Sequence, residues 1–187
     1  MTQKLWQKKL KLNYSKDVFD IVQFGSSVIE GEEPRDLDIA VIFQKIPLKE
    51  QLEQAQEIKK QLQKFSESPI HINSFDFYSL FDSSNFAKEN ILFYGKSVIS
   101  KDHFIKKIGL SPRINILYLL KNLKKKDKIR FNYMLCGKRG KYGLLRKYSG
   151  KLLKPGLIEI LPEHKNVFIE AIRKITPDFK IKHILFS

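Results

Sequence analysis

Apolar and polar positions change their rhythm several times along the chain, and each rhythm predicts an element. Residues 18–24 (VFDIVQF) form a short, nearly continuous apolar run that stops at Gly25, the pattern of a buried strand. SSVIEGEEP then turns, with room for a short helix, before a second strand over residues 36–43 (DLDIAVIF). Pro47 opens LKEQLEQAQEIKKQLQKF. There Leu48, Leu52, Ala55, Ile58, Leu62 and Phe65 recur every three or four places, which predicts a helix with one apolar side. Residues 70–81 (IHINSFDFYSLF) read as a third strand running into a loop. Residues 85–99 (NFAKENILFYGKSVI) read as a helix, a stop at Gly95 and a short strand. The first hundred residues therefore predict a β–turn–β–α–β–α unit around a mixed sheet.

The rhythm changes near SKDHFIKKIGLSP, which predicts a boundary: one domain over residues 1–104 and a smaller α+β domain over 105–187. The second part is expected to open with a helix over PRINILYLLKNLKKKDK, capped by Ser111 ahead of Pro112. RFNYMLCG continues in helical style. A strand LIEIL, a helix from Pro162 and a last strand FKIKHILF complete it. Helix, turn, helix, then strand and basic loop is also the outline of a winged-helix module, a likeness of shape only.

Composition adds a location for charge. The chain of 187 residues carries a net +15. Residues 1–100 hold 13 Lys and Arg against 14 Asp and Glu, whereas residues 101–187 hold 22 against 6. The whole positive excess lies in the second part, which points to a polyanionic partner and argues against a polycationic small molecule. Within it, KRGKYGLLRKYSGKLLKPG interleaves Lys138, Arg139, Lys141, Arg146, Lys147, Lys151 and Lys154 with Tyr142 and Tyr148. Basic side chains grip phosphates and tyrosines stack on unpaired bases, so these residues are the candidate nucleic-acid contacts. The single Cys136 excludes an internal disulfide and is expected to pack; no apolar run reaches the ~18 residues of a membrane-spanning helix, and MTQKLWQKKLKL lacks a secretion-type apolar core. A cytoplasmic protein is expected.

The candidate chemistry lies in FGSSVIEGEEPRDLDIAVIF. Asp36 and Asp38 stand two apart at the mouth of an apolar strand, so their carboxylates leave one face. Such a pair repels itself and is best explained by a divalent cation, with Mg²⁺ the natural guest of oxygen ligands. Gly25-Ser26 follows a strand and precedes a short helix, where backbone amides and a hydroxyl can hold phosphate. Phosphate and metal together describe phosphoryl or nucleotidyl transfer.

The combination Phe24-Gly25-Ser26, the spacer SVIEGEEPR, and Asp36-Leu37-Asp38-Ile39-Ala40-Val41 resembles the DNA polymerase beta-like nucleotidyltransferase superfamily, in particular its small minimal members, over about residues 18–99. The resemblance implies that Gly25, Ser26 and Ser27 bind a nucleoside triphosphate. It implies that Asp36 and Asp38 bind two Mg²⁺, and that a nucleoside monophosphate passes to an acceptor as pyrophosphate leaves. RNA, and tRNA among RNAs, is the acceptor the basic second part favours. A protein acceptor, as in antitoxin-type minimal members, is the alternative, and a nucleotide- or RNA-binding module without turnover is another. The chain departs from the pattern where a third carboxylate is due. By position that place falls on His71; by chemistry the nearest acids are Asp76 and, beyond it, Asp82. Asp76 reaches the active face if the strand bulges near Asn73-Ser74.

Overall fold

A computed structural model describes residues 4–29, 34–138 and 141–187. The chain forms two compact units, Met1–Leu110 and Ser111–Ser187. Both are α+β: the first is built on a mixed four-stranded sheet, the second on an antiparallel one.

In the first unit β1 (Val18–Phe24) and β2 (Leu37–Phe43) pair antiparallel. Helix α1 (Leu48–Gln63) then carries the chain over to β3 (Ile70–Asp76), which lies parallel to β2. A two-residue strand β4 (Lys96–Ser97) closes the order β3-β2-β1-β4. The strand period of two sorts the side chains of β2. Leu37, Ile39, Val41 and Phe43 join Ala55, Ile58 and Leu62 of α1 in one core. Burying Ile58 or Leu62 contributes about 2–3 kcal/mol each. The helix faces inward more narrowly than its spacing predicts: Leu48 and Leu52 are exposed, and Gln51 is buried in their stead, its amide donating to the Ile46 carbonyl.

The opposite face carries Asp38, and the short helices α2 (Phe77–Phe81) and α3 (Lys88–Tyr94) cover part of it. The fully buried Asp20 also belongs to β1; its Oδ1 accepts from the Ser97 hydroxyl at 2.7 Å, and Lys107 Nζ stands 3.5 Å from Oδ2. Burial raises the Asp20 carboxyl above its ordinary value, against the opposing effect of the Ser97 hydroxyl. Residues before β1 form an arm with one 3₁₀ turn, Leu5–Gln7, anchored by the buried Leu5 and by a reciprocal pair of bonds between Asn13 and Gln61.

The second unit corrects the expected opening. Residues 111–118 are not helical: Ser111–Tyr118 is strand β5. Pro112, Ile114, Ile116 and Tyr118 are buried while Arg113, Asn115 and Leu117 alternate with them, a period of two rather than 3.6. Pro112 fits because β7 pairs with β5 only from Ile114 onward, so no ladder partner is due on that side. The helix begins later, as α4 (Lys125–Cys136), and Cys136 is exposed rather than packed. A single helical turn α5 (Leu144–Lys147), a hairpin of β6 (Lys151–Lys154) and β7 (Leu157–Ile160), helix α6 (Lys165–Arg173) and β8 (Phe179–Phe186) follow. The strand order is β6-β7-β5-β8. Among the described residues the helices pack on one face. Phe131 of α4 packs on Tyr118 at 4.7 Å between ring centroids, Arg173 of α6 lies over Phe179, and Leu145 of α5 reaches the Gly150–Ile160 corner. No helix among the described residues is long and apolar enough to cross a membrane.

Candidate active site

Three features of the first unit meet at the ends of β1 and β2. In the β1–β2 ladder Phe24 stands opposite Asp38, so the residue after Phe24 turns next to that carboxylate. That residue is Gly25, at φ +72°, opening a 3₁₀ turn over Gly25–Val28. A Cβ built on Gly25 would lie 2.4 Å from Asp38 Oδ2. Glycine is therefore required twice, by the left-handed backbone and by the carboxylate against it. The serine turn and the acid pair that the sequence placed eleven residues apart are neighbours.

The parallel β2–β3 ladder supplies the third group. Asp38 pairs with His71, which brings the imidazole beside both acids. His71 Nδ1 is 3.4 Å from Asp36 Oδ2 and 4.0 Å from Asp38 Oδ1. One ligand atom from each of the three lies within 4.8 Å of the others. Asp36 and Asp38 are about one-third exposed and His71 nearly two-thirds, so the cluster is anchored on the sheet and open on its outer side. Burial raises the Asp38 carboxyl above its ordinary value; the like charge of Asp36 raises it further, and His71 opposes both. Two carboxylates and an imidazole at this spacing fit a divalent ion, with open positions left for water or phosphate oxygens. The nitrogen donor widens the choice from Mg²⁺ toward Mn²⁺.

Asp76 is not part of this cluster. The β2–β3 register runs without a shift from Leu37↔Ile70 to Phe43↔Asp76, so there is no bulge at Asn73-Ser74 to swing it round. It lies five residues beyond His71, about 16 Å along the strand. Its carboxylate caps α2 instead, accepting from the Ser79 amide at 2.8 Å in a reciprocal capping box. Those Ser79 bonds hold Asp76 below its ordinary value. Asp82 is bound locally by the Ser84 amide and hydroxyl and stays outside the three-residue cluster, but it lines the same cleft as Gly25 and Asp38. Ser26 stays half-buried at the turn, while Ser27 faces inward: its hydroxyl donates to the Phe24 carbonyl and accepts from Gln23.

A cleft of about 710 Å³ opens in front of Gly25 and Asp38, lined further by Asn73, Phe75, Phe86 and Asn90. None of these four was singled out from sequence. Counting two on from His71 would have found Asn73 and Phe75, which share the Asp38 face. Phe86 is 99% exposed, and an apolar ring left in water beside a cleft is a signal that only the fold reveals.

In the basic segment of the second unit Tyr148 is packed, whereas Tyr142 remains exposed. Arg146 lies 4.1 Å over the ring of Tyr142, Lys147 is 5.0 Å from the Tyr148 ring centre, and Tyr148 packs on His164 and Phe168. Lys138 sits over Tyr133 of α4, and Lys141 and Lys151 are exposed. Arg139 lies outside the described residues. Comparison of the chain with protein-family models, with curated proteins and with solved structures returned no match.

Proposed function

We propose that the first unit is a metal-dependent nucleotidyltransferase of the polymerase-beta-like kind, passing a nucleoside monophosphate to RNA recruited by the basic second unit. One observation carries the reading: the Asp36–Asp38–His71 cluster stands directly against the Gly25-Ser26 turn, so a site for divalent metal adjoins a site for phosphate. The mixed sheet with α1 crossing from β2 to parallel β3 supports the likeness of fold. Asp36, Asp38 and His71 would hold the metal, which when bound activates an attacking oxygen and steadies the leaving pyrophosphate. The chain's own part is positional. The β1–β2 ladder fixes Asp38 beside the turn, the β2–β3 ladder fixes His71 beside Asp38, and the cleft next to them excludes water from one side of the substrate. The winged-helix likeness of the second unit rests on α4, the single-turn α5 and the β6–β7 hairpin, and stays an argument from shape.

The test is incubation of the full chain with each labelled nucleoside triphosphate, Mg²⁺ or Mn²⁺, and bulk small RNA. Label should enter RNA, and the Asp36→Ala, Asp38→Ala double variant should abolish it. Absence of label with every triphosphate in either metal sinks the reading. Among the described residues no third carboxylate stands at the cluster, which favours a second reading, a nucleotide sensor. It predicts saturable nucleotide binding that needs Asp38, with no transfer to any acceptor.

A further inference from the structure

The helix-free face of the second sheet has an order that the linear sequence hides. The ladder registers place Lys151, Glu159, Asn115 and Lys182 in one row across the four strands, and Lys154, Leu157, Leu117 and Lys180 in the next. In both rows lysines stand on the edge strands β6 and β8, while the central strands β7 and β5 form the floor. The two edges lie about 14 Å apart, three strand spacings. Arg113 adds a fifth cation to the face and sits 3.8 Å from Glu159, the acid of the first row. Among the described residues none of the four lysines has an ion-pair partner, and all four are exposed. Ile184 and Phe186 extend the apolar floor along β8.

The second row is also hollow. A cavity of about 520 Å³ at this end of the sheet is lined by Leu117, Leu157, Lys154 and Lys180, with Tyr118, Phe179 and the acid Asp178 also on its wall. Lysines on edge strands keep a sheet from pairing with other chains. That role does not account for an apolar hollow between them. Cationic rims with an apolar floor suit a ligand that carries phosphates outside and flat apolar groups inside. A duplex hides its base faces; an unpaired strand offers them.

We propose that this face binds single-stranded RNA, with an unpaired base in the hollow over Leu117 and Leu157 and flanking phosphates on Lys154, Lys180, Lys151 and Lys182. The proposal rests on the reading that RNA is the partner of this unit; it keeps Lys151 and Lys154 of the basic segment and joins them to the β5, β7 and β8 side chains of this face rather than to Tyr142 and Tyr148. In that segment Arg146 and Lys147 lie over the rings of Tyr142 and Tyr148, though Tyr142 stays exposed, whereas the hollow offers Leu117 and Leu157.

The experiment compares two variants of the full chain that lose equal charge. One is Lys151→Gln, Lys154→Gln, Lys180→Gln, Lys182→Gln; the other is Lys138→Gln, Lys141→Gln, Arg146→Gln, Lys147→Gln. Binding of a labelled RNA of about 12 nucleotides is followed by fluorescence anisotropy across a salt series, with the same sequence as duplex in parallel. The sheet variant should bind at least about tenfold more weakly, and its salt slope should fall by about 3, or 0.7 for each lost phosphate contact. The segment variant should change by less than about threefold, and the duplex should bind more weakly than the single strand. Circular dichroism checks folding, and the Lys→Arg version of the sheet set should restore binding. Wild-type affinity in the sheet variant, equal losses in both variants, or equal affinity for duplex overturns the proposal and leaves RNA as the partner. If the wild-type chain binds no RNA, the reading of the partner falls too, and the metal–nucleotide site is judged by its own assay.

Discussion

Replacing Gly25 by alanine separates the structural from the chemical role of the turn. Two consequences follow from the geometry, and they differ in size. The backbone at φ +72° costs an L-residue about 1–2 kcal/mol, partly offset by about 0.4–1 kcal/mol from the reduced freedom of the unfolded chain. The net loss of about 1 kcal/mol should lower the melting temperature by roughly 5 °C. The new Cβ also falls 2.4 Å from Asp38 Oδ2, where ordinary contact begins at 3.4 Å, so that oxygen must move by about 1 Å. Asp38 is short and its backbone is paired on both sides, to Phe24 and to His71, so only the carboxylate can rotate away. Rotation is cheap in stability but displaces an oxygen of the proposed metal cluster, and a 1 Å misplacement is worth about a hundredfold in rate. Gly25→Ala should therefore melt only slightly lower, bind Mn²⁺ at least about tenfold more weakly, and lose nearly all transfer. Thermal melts, paramagnetic titration with Mn²⁺ and the labelled-RNA assay measure the three. In an Asp38→Ala background the struck oxygen is gone, so Gly25→Ala should then cost only its backbone share. Unchanged Mn²⁺ affinity in Gly25→Ala would refute the placement of the turn against the metal site.

Three further outcomes are expected. First, the folded Asp38 holds its proton to a higher pH than the unfolded chain does. Its contribution to stability is thus full below the ordinary carboxylate range and lost as pH rises through the folded value; on the proposed function Mn²⁺ would bind the ionised pair and should restore it there. Melting curves against pH with and without Mn²⁺ check this, and Asp36→Asn should shift the onset of ion binding to lower pH. Second, Asp76→Ala should cost about 1 kcal/mol of stability through loss of the α2 cap and leave Mn²⁺ affinity unchanged. His71→Gln should do the reverse, and equal effects of the two on Mn²⁺ titration would place the third ligand wrongly. Third, Ser97→Ala removes a donor from the buried Asp20 and should destabilise the first unit by about 1–3 kcal/mol. The Ser97 bond favours the ionised carboxyl, so the loss seen in melts should shrink as pH falls and Asp20 takes up its proton.

The first unit was largely legible because its signals are local. An apolar strand ending in Gly-Ser, a second strand headed by two acids, and a helix of fixed spacing each declare themselves within some ten residues. The third group at the cluster was not local. Whether His71 or Asp76 joins Asp38 depends on the β2–β3 register, and a shift of one residue would have moved every side chain of β3 to the other face. Sequence allowed a bulge there because Ile70 and Ile72 differ in parity from Phe75 and Phe77. The fold resolves the conflict by ending the strand at Asp76: Phe77 starts α2, and Phe75 faces the cleft instead of the core.

The second unit hid more, for a reason that bears on its partner. INILYLL reads equally as a helix segment or as alternation, because Leu117, an outward residue, is as apolar as its inward neighbours. Once Ser111–Tyr118 is a strand, Arg113, Asn115 and Leu117 acquire a common side, and the ladders to β7 and β8 bring Lys180 and Lys182 onto it with Leu157 and Glu159. A charge count had already located the positive excess in this half, yet it weights a lysine on a rim no differently from one on a helix back. Specific contact with a polyanion needs cations held at fixed spacing around a surface shaped for the rest of the ligand. The tyrosine-rich segment lays its cations on its own tyrosine rings, whereas on the sheet the edge lysines share a side with Leu117 and Leu157, beside the polar Arg113, Asn115 and Glu159.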